Sequence, residues 1–235
     1  MWGLVPRNVA ALVDGIADKP TERRPFTPDE QRRILDAARD DRLHVMVVLA
    51  HATGLRQSEL LGVRWTDLDL DTGILRFTTQ YGRDGILREP KTAAGLRVLP
   101  LPQPTIGVLR AHREQQDRER ATATHWEDWG LVIATRTGRP VNHANARRSW
   151  NRIVRSAGVD HRGIHHMRHA YVTMLAEHGV HERVAQQLAG HGMGFVRWVS
   201  AVGIDEPSQV LSCRQGERPS MVGVRAHQLH TGRPC

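Results

Sequence analysis

The run Leu43-His44-Val45-Met46-Val47-Val48-Leu49-Ala50-His51-Ala52 reads as a helix nearly all apolar on one side. It stops at Gly54, a residue suited to the left-handed conformation that ends helices. A helix of that composition belongs in an interior, so other elements must cover it. The helix before it carries its own start signal. Thr27 stands as N-cap, Pro28 takes the first helical position, and Glu30 is placed to reach back as the capping-box acid. Ile34, Leu35 and Ala38 give that helix an apolar stripe, which ends near Asp40.

Further along, a short helix follows Arg56 through Leu60 and Leu61, and residues 66–73 read as a loop or turn. Residues 74–79 and 97–101 are strand-like, with 86–89 a third strand candidate between them. Residues 104–120 form a strongly charged helix, and 129–134 a short strand or irregular core segment. Residues 141–157, 165–179 and 180–188 then read as three helices. The fold class is therefore α+β, mainly helical, with a small antiparallel sheet. Residues 1–25 look like the end of another unit followed by a charged, proline-bounded linker. Residues 192–235 are rich in glycine, hold both cysteines and show no sustained period, the character of a divergent, poorly ordered tail.

Composition narrows the function. The 235 residues carry a formal net charge of +8 and a pI near 10.7, which favours a polyanionic partner, most simply nucleic acid. Codon bias contributes, because only Lys19 and Lys91 are lysines and the other basic residues are arginines. Cys213 and Cys235 cannot build a disulfide framework or a zinc site of the four-cysteine type. No apolar run is long enough to span a membrane and no secretory signal opens the chain, so the expected location is cytoplasmic.

Two clusters carry chemistry. The first is Thr53-Gly54-Leu55-Arg56-Gln57-Ser58-Glu59-Leu60-Leu61. Arg56 follows a helix-ending glycine on a tight turn between buried helices, which would fix a guanidinium whose fork matches two phosphate oxygens. Glu59 is spaced to brace it; read alone, such a pair is more often a surface arginine with a local salt bridge than a site. The second is His165-His166-Met167-Arg168-His169-Ala170-Tyr171. On a helix His165 and Arg168 share a face and can address one anionic group together. His165 and His169 also have zinc-ligand spacing, but the metalloprotease pattern needs Glu where His166 stands. A structural histidine cluster is the third reading.

Taken in order, these clusters join Pro90-Lys91-Thr92, then Arg97-Val98-Leu99-Pro100-Leu101, and finally Leu188-Ala189-Gly190-His191. The series resembles the catalytic domain of the tyrosine recombinases, the phage integrase family, over residues 26–191. The resemblance implies that family's catalytic-domain fold, with the sheet bearing Lys91 beside the helices. It also implies double-stranded DNA as partner, tetramers assembled on DNA, and no cofactor or metal. The family cuts DNA by attack of a tyrosine hydroxyl on a backbone phosphate, leaving a 3′-phosphotyrosine and a free 5′-hydroxyl. Arg56 and Arg168 match the arginines that neutralise the phosphate oxygens. Lys91 matches the hairpin lysine that protonates the leaving oxygen, and an ammonium suits that task because a guanidinium does not release its proton near neutrality. His165 matches the histidine that handles the nucleophile's proton, and His191 the second histidine, a donor to the phosphate.

Departures are also visible. His166 stands where the family often has Asp, and Ala170 where it often has Thr. The family's nucleophilic tyrosine follows the second histidine by nine or ten residues, yet residues 193–202 contain none, and the chain's two tyrosines are Tyr81 and Tyr171. Ser200 has about the right spacing but is not expected to replace it. A shifted reading frame or rearranged 3′ end after His191 would explain both the missing tyrosine and the changed tail; a natural variant is the alternative. Residues 1–25 would be the remnant of an N-terminal core-binding domain. The expected function is DNA integration or site-specific recombination by a fragment lacking its nucleophile. A non-cutting DNA-binding remnant or modulator is the runner-up, and a zinc-dependent hydrolase a distant third.

Overall fold

In the computed structural model the described residues are 24–90 and 97–190. Lys91, His191, most of the 1–25 segment and the 192–235 tail lie outside them. Helix α1 (Pro28–Ala37) opens with the anticipated capping box: the Glu30 backbone N–H donates to Thr27 Oγ1 at 3.2 Å, and the Thr27 N–H to Glu30 Oε2 at 2.8 Å. Helix α2 (His44–Thr53) buries seven of its ten residues and ends at Gly54, whose φ of 61° is left-handed. It is the central helix, packed by α1, by α3 (Gln57–Gly62), by α4 (Gln103–Thr122) and by α6 (His165–Glu177). The sequence pattern showed one apolar side; the structure buries nearly the whole circumference because four helices surround it.

The sheet is antiparallel and small, as expected. Strands β1 (Leu68–Asp69), β2 (Ile74–Phe77) and β5 (Arg97–Pro100) pair in the order β1-β2-β5, with Leu75 opposite Leu99 and Phe77 opposite Arg97. Strands β3 (Gln80–Tyr81) and β4 (Leu87–Arg88) form a separate two-stranded ribbon between β2 and β5. The strand pattern read through residue 79 thus breaks after Phe77, where the ribbon leaves the sheet. Residues 131–134 are buried and hold only isolated bridges, Arg64 with Leu131 and Ala134 with Pro140, so this segment is irregular core.

Helix α5 (His143–Ser156) packs on α1, and α6 on α7 (Glu182–Ala189), which in turn meets the sheet at β5. Most buried apolar residues form one core around α2; Tyr171, Val172, Leu175, Ala185 and Ala189 form a second cluster between α6 and α7. No described helix is long and apolar enough to cross a membrane. The junction of α3, β5, α6 and α7 is where the charged residues gather.

Candidate functional site

Arg56 is the N-cap of α3, fixed there because α2 has just ended at Gly54. Its backbone N–H donates to Glu59 Oε2 at 2.9 Å, and its Nη1 donates to Glu59 Oε1 at 2.8 Å. Its Nη2 reaches the Gly190 carbonyl at 3.3 Å. The Arg56 side chain remains 40% exposed, whereas that of Glu59 is 7% exposed.

Arg168 lies one turn into α6 and is buried, its side chain 1% exposed. Its Nη1 donates to the Gly54 carbonyl at 2.8 Å, across 114 residues of sequence, and its Nη2 donates to the Ala189 carbonyl. The same Nη1 lies 3.9 Å from Glu59 Oε2. Gly54 is required here twice over: its φ is positive, and a Cβ would come within 2.6 Å of the Tyr171 ring.

A third arginine completes the cluster. Arg97 on β5 donates Nη2 to Glu59 Oε2 at 2.8 Å and Nη1 to the Ala189 carbonyl at 2.9 Å. One carboxylate therefore stands among three guanidiniums from three elements. Burial pushes the Glu59 pKa up, but Arg97, the Arg56 N–H and the Arg168 and Arg56 charges outweigh it and hold the carboxyl below its ordinary range. Burial, reinforced by the Arg56 charge, pulls the Arg168 pKa down to about 9, so the group stays protonated at neutral pH. Among the described residues, three positive charges and one negative leave the cluster with an excess of cation, and Arg56 offers the solvent-facing part of it.

His165 is the first residue of α6 and is exposed; its ring meets His169 edge-to-face with centroids 4.8 Å apart. His166 also packs edge-to-face on His169 and on Phe26. Among the described residues no three metal-ligating side chains gather around one point. The structure thus brings Arg56 and Arg168 together through Glu59 and the Ala189–Gly190 turn, and places His165 one helical turn from Arg168. Glu59 was legible as a brace for Arg56 but not as the shared partner of three arginines. Arg97 was read as part of a strand and of the motif series but not as a partner of Glu59; the available signal was its register, since in β5 it shares the inward face with buried Leu99.

Comparison with known proteins identifies the family and the fold. The family model described as the phage integrase family matches residues 24–193. A tyrosine recombinase XerC-like protein of Caldanaerobacter subterraneus subsp. tengcongensis is 34% identical over 187 residues, covering 73% of this chain and 48% of that protein. An integrase of Streptomyces ambofaciens is 30% identical over 200 residues, covering 80% of this chain and 51% of the relative. The chain therefore spans about half the length of these curated relatives. Among solved structures, the Tn1549 transposon integrase in complex with circular intermediate DNA superposes with a TM-score of 0.63 at 22% identity, covering 83% of this chain and 66% of that one. Motif order, fold and family match converge, and the chain belongs to the phage integrase family of tyrosine recombinases.

Proposed function

We propose that residues 26–191 act in DNA integration or site-specific recombination by holding a backbone phosphate of duplex DNA against Arg56 and Arg168, and that the chain binds DNA without cutting it. The observation that carries the binding half is the arginine cluster: three guanidiniums face one carboxylate, and the surplus charge opens to solvent at Arg56. Such a surplus suits a phosphate, whose oxygens accept the forked donors of arginine. Residues 26–191 carry 24 basic and 19 acidic residues, a net +5 that adds sequence-independent attraction. Lys91 and His165 stand where the family keeps its proton donor to the leaving oxygen and its handler of the nucleophile's proton, steps that do not run in a chain that binds without cutting, and His191 stands where the family keeps a donor to the phosphate.

The non-cutting half rests on the tyrosines. Residues 192–202 contain none. Tyr171 is buried against Gly54, and burial pushes its phenol pKa up although Arg97 and Arg168 pull the other way. Tyr81 stacks flat on His143, with ring centroids 5.8 Å apart. Both rings pack within the fold, and neither stands at the spacing after His191 that the family's nucleophile has. Serine at position 200 would give a far poorer leaving group than phenoxide for the religation step.

The test is incubation of the full chain with a pool of nicked duplexes of randomised sequence, followed by denaturing electrophoresis and a salt titration of binding. The expected outcome is salt-sensitive binding and no covalent protein–DNA adduct. An adduct lost in Tyr81→Phe or Tyr171→Phe would overturn the non-cutting reading. Binding indifferent to both salt and Arg56→Ala would overturn the phosphate reading.

A further inference from the structure

Resting on the phosphate reading above, we propose that Arg97 is a positioning residue for that site: it sets the orientation of Arg56 through Glu59 and ties down the Ala189–Gly190 turn. Arg97 contacts no ligand in this role. It acts by holding the groups that do.

In β5 the side chains of Arg97 and Leu99 point inward, while Val98 is 60% exposed. An inward strand position ordinarily takes an apolar residue. Here it holds an arginine whose side chain is only 2% exposed and whose guanidinium lies 4.9 Å over the Phe77 ring. Burying a guanidinium is costly unless its donors are used. Two are spent, one on Glu59 Oε2 and one on the Ala189 carbonyl, and Nε finds no acceptor among the described residues. A core needing only volume would take leucine at this position. The charge is retained where it joins two separate pieces of the site.

What it joins is specific. By occupying Glu59 Oε2, Arg97 leaves Oε1 to Arg56 Nη1, which fixes the rotation of the carboxylate and hence the direction of the Arg56 fork. The Ala189 carbonyl that accepts from Arg97 also accepts from Arg168, and the adjoining Gly190 carbonyl accepts from Arg56. The fit is tight: a Cβ at Gly190 would fall 1.5 Å from Arg97 Nη1, so only glycine leaves the guanidinium its seat. In sequence, Arg97 follows Lys91 by six residues and Gly190 immediately precedes His191, so this contact anchors the roots of the two segments bearing the remaining site residues. Lysine could meet one of the two acceptors but lacks the fork to span both.

The experiment uses the full chain labelled with 15N on arginine. The Arg56 Nε–H resonance, assigned with Arg56→Lys, is expected to shift or broaden in Arg97→Met, while the Arg162 resonance and the circular dichroism spectrum stay put. Arg97→Lys keeps the charge but not the fork and should move the same Arg56 resonance; it stands in if Arg97→Met fails to fold. Duplex binding then closes a double-mutant cycle. Arg97→Met should weaken binding about fivefold in the parent and less than about twofold in the Arg56→Ala background, with Arg97→Lys between parent and Met. An unmoved Arg56 resonance, or equal losses in both backgrounds, overturns the proposal. If parent and Arg56→Ala bind DNA alike, the phosphate reading fails instead, and the resonance alone decides the positioning role.

Discussion

Glu30 and Glu59 each stand at the third position of a helix, accept the N-cap backbone N–H, and pair with arginine from distant sequence. Their surroundings differ. Glu30 receives Arg162, which also donates to the Pro25 carbonyl at 3.0 Å and lies 4.2 Å over the Phe26 ring; Arg24 adds a longer contact at 3.6 Å. Arg162 is thereby used up, its side chain 14% exposed. Glu59 receives three arginines, and one of them, Arg56, remains 40% exposed. The same capping device closes the scaffold at one end and holds an open positive group at the other. What separates a structural pair from a site is the charge left over and its exposure, not the local motif.

The sharpest way to break this contrast is to neutralise each acid in turn. Glu59→Gln takes the shared carboxylate from the buried Arg97 and Arg168 and should cost about 3 to 5 kcal/mol. Glu30→Gln should cost only about 1 to 2 kcal/mol, because one close arginine rather than two loses its carboxylate and Arg162, 14% exposed, is less deeply buried than Arg97 or Arg168. Urea unfolding at neutral pH measures both. Equal costs would show that the two pockets do the same job.

The contrast also explains what could be read from sequence. Helix limits were legible because caps are local: Thr27, Pro28, Glu30 and Gly54 each announce a boundary within a few residues. Arg56 and Arg168 were legible as members of ordered motifs. Arg97 also stood in that series, but its role was not legible, since its partners Glu59 and Ala189 lie 38 and 92 residues away and only sheet register turns it toward them. The separation of the β3–β4 ribbon from the sheet was likewise invisible, because alternation continues through residues 74–79 and only pairing reveals the break. The roles of Lys91 and His191 rest on motif order, as both lie outside the described residues.

A second test crosses function with stability. Arg162→Ala should cost about 2 kcal/mol by removing the close cation from buried Glu30, which keeps the Thr27 N–H and the longer Arg24 contact, and should leave duplex affinity unchanged. Arg56→Ala should do the reverse: about fivefold weaker binding, with a stability loss under about 1 kcal/mol because its side chain is substantially exposed. Anisotropy titrations beside urea melts would settle it; an affinity loss in Arg162→Ala would place the scaffold end on the DNA. The caps themselves offer a smaller asymmetry. Thr27→Ala removes a side-chain acceptor and should cost about 1 kcal/mol. No equivalent change exists at Arg56, whose side chain can only donate.

The smallest effect lies in the acid limb. At both glutamates burial favours the neutral form, yet backbone and arginine partners prevail and the folded pKa falls below the ordinary 4.5. Below that value the unfolded chain binds the proton first. Stability from each group is therefore complete above about pH 4.5 and is lost as pH falls toward the lowered folded values. One fully coupled proton gives about 1.4 kcal/mol per pH unit, and each glutamate supplies a fraction of that in this window. Replacing either with glutamine deletes its share, so both variants should lose stability less steeply than the parent between pH 5 and 4. Glu59→Gln should be the flatter of the two, because its carboxylate answers to three cations rather than to one close partner. Urea midpoints across that range are the measurement. A Glu59→Gln slope equal to the parent's would mean that the arginines do not hold Glu59 ionised, and the open charge at Arg56 would need another source.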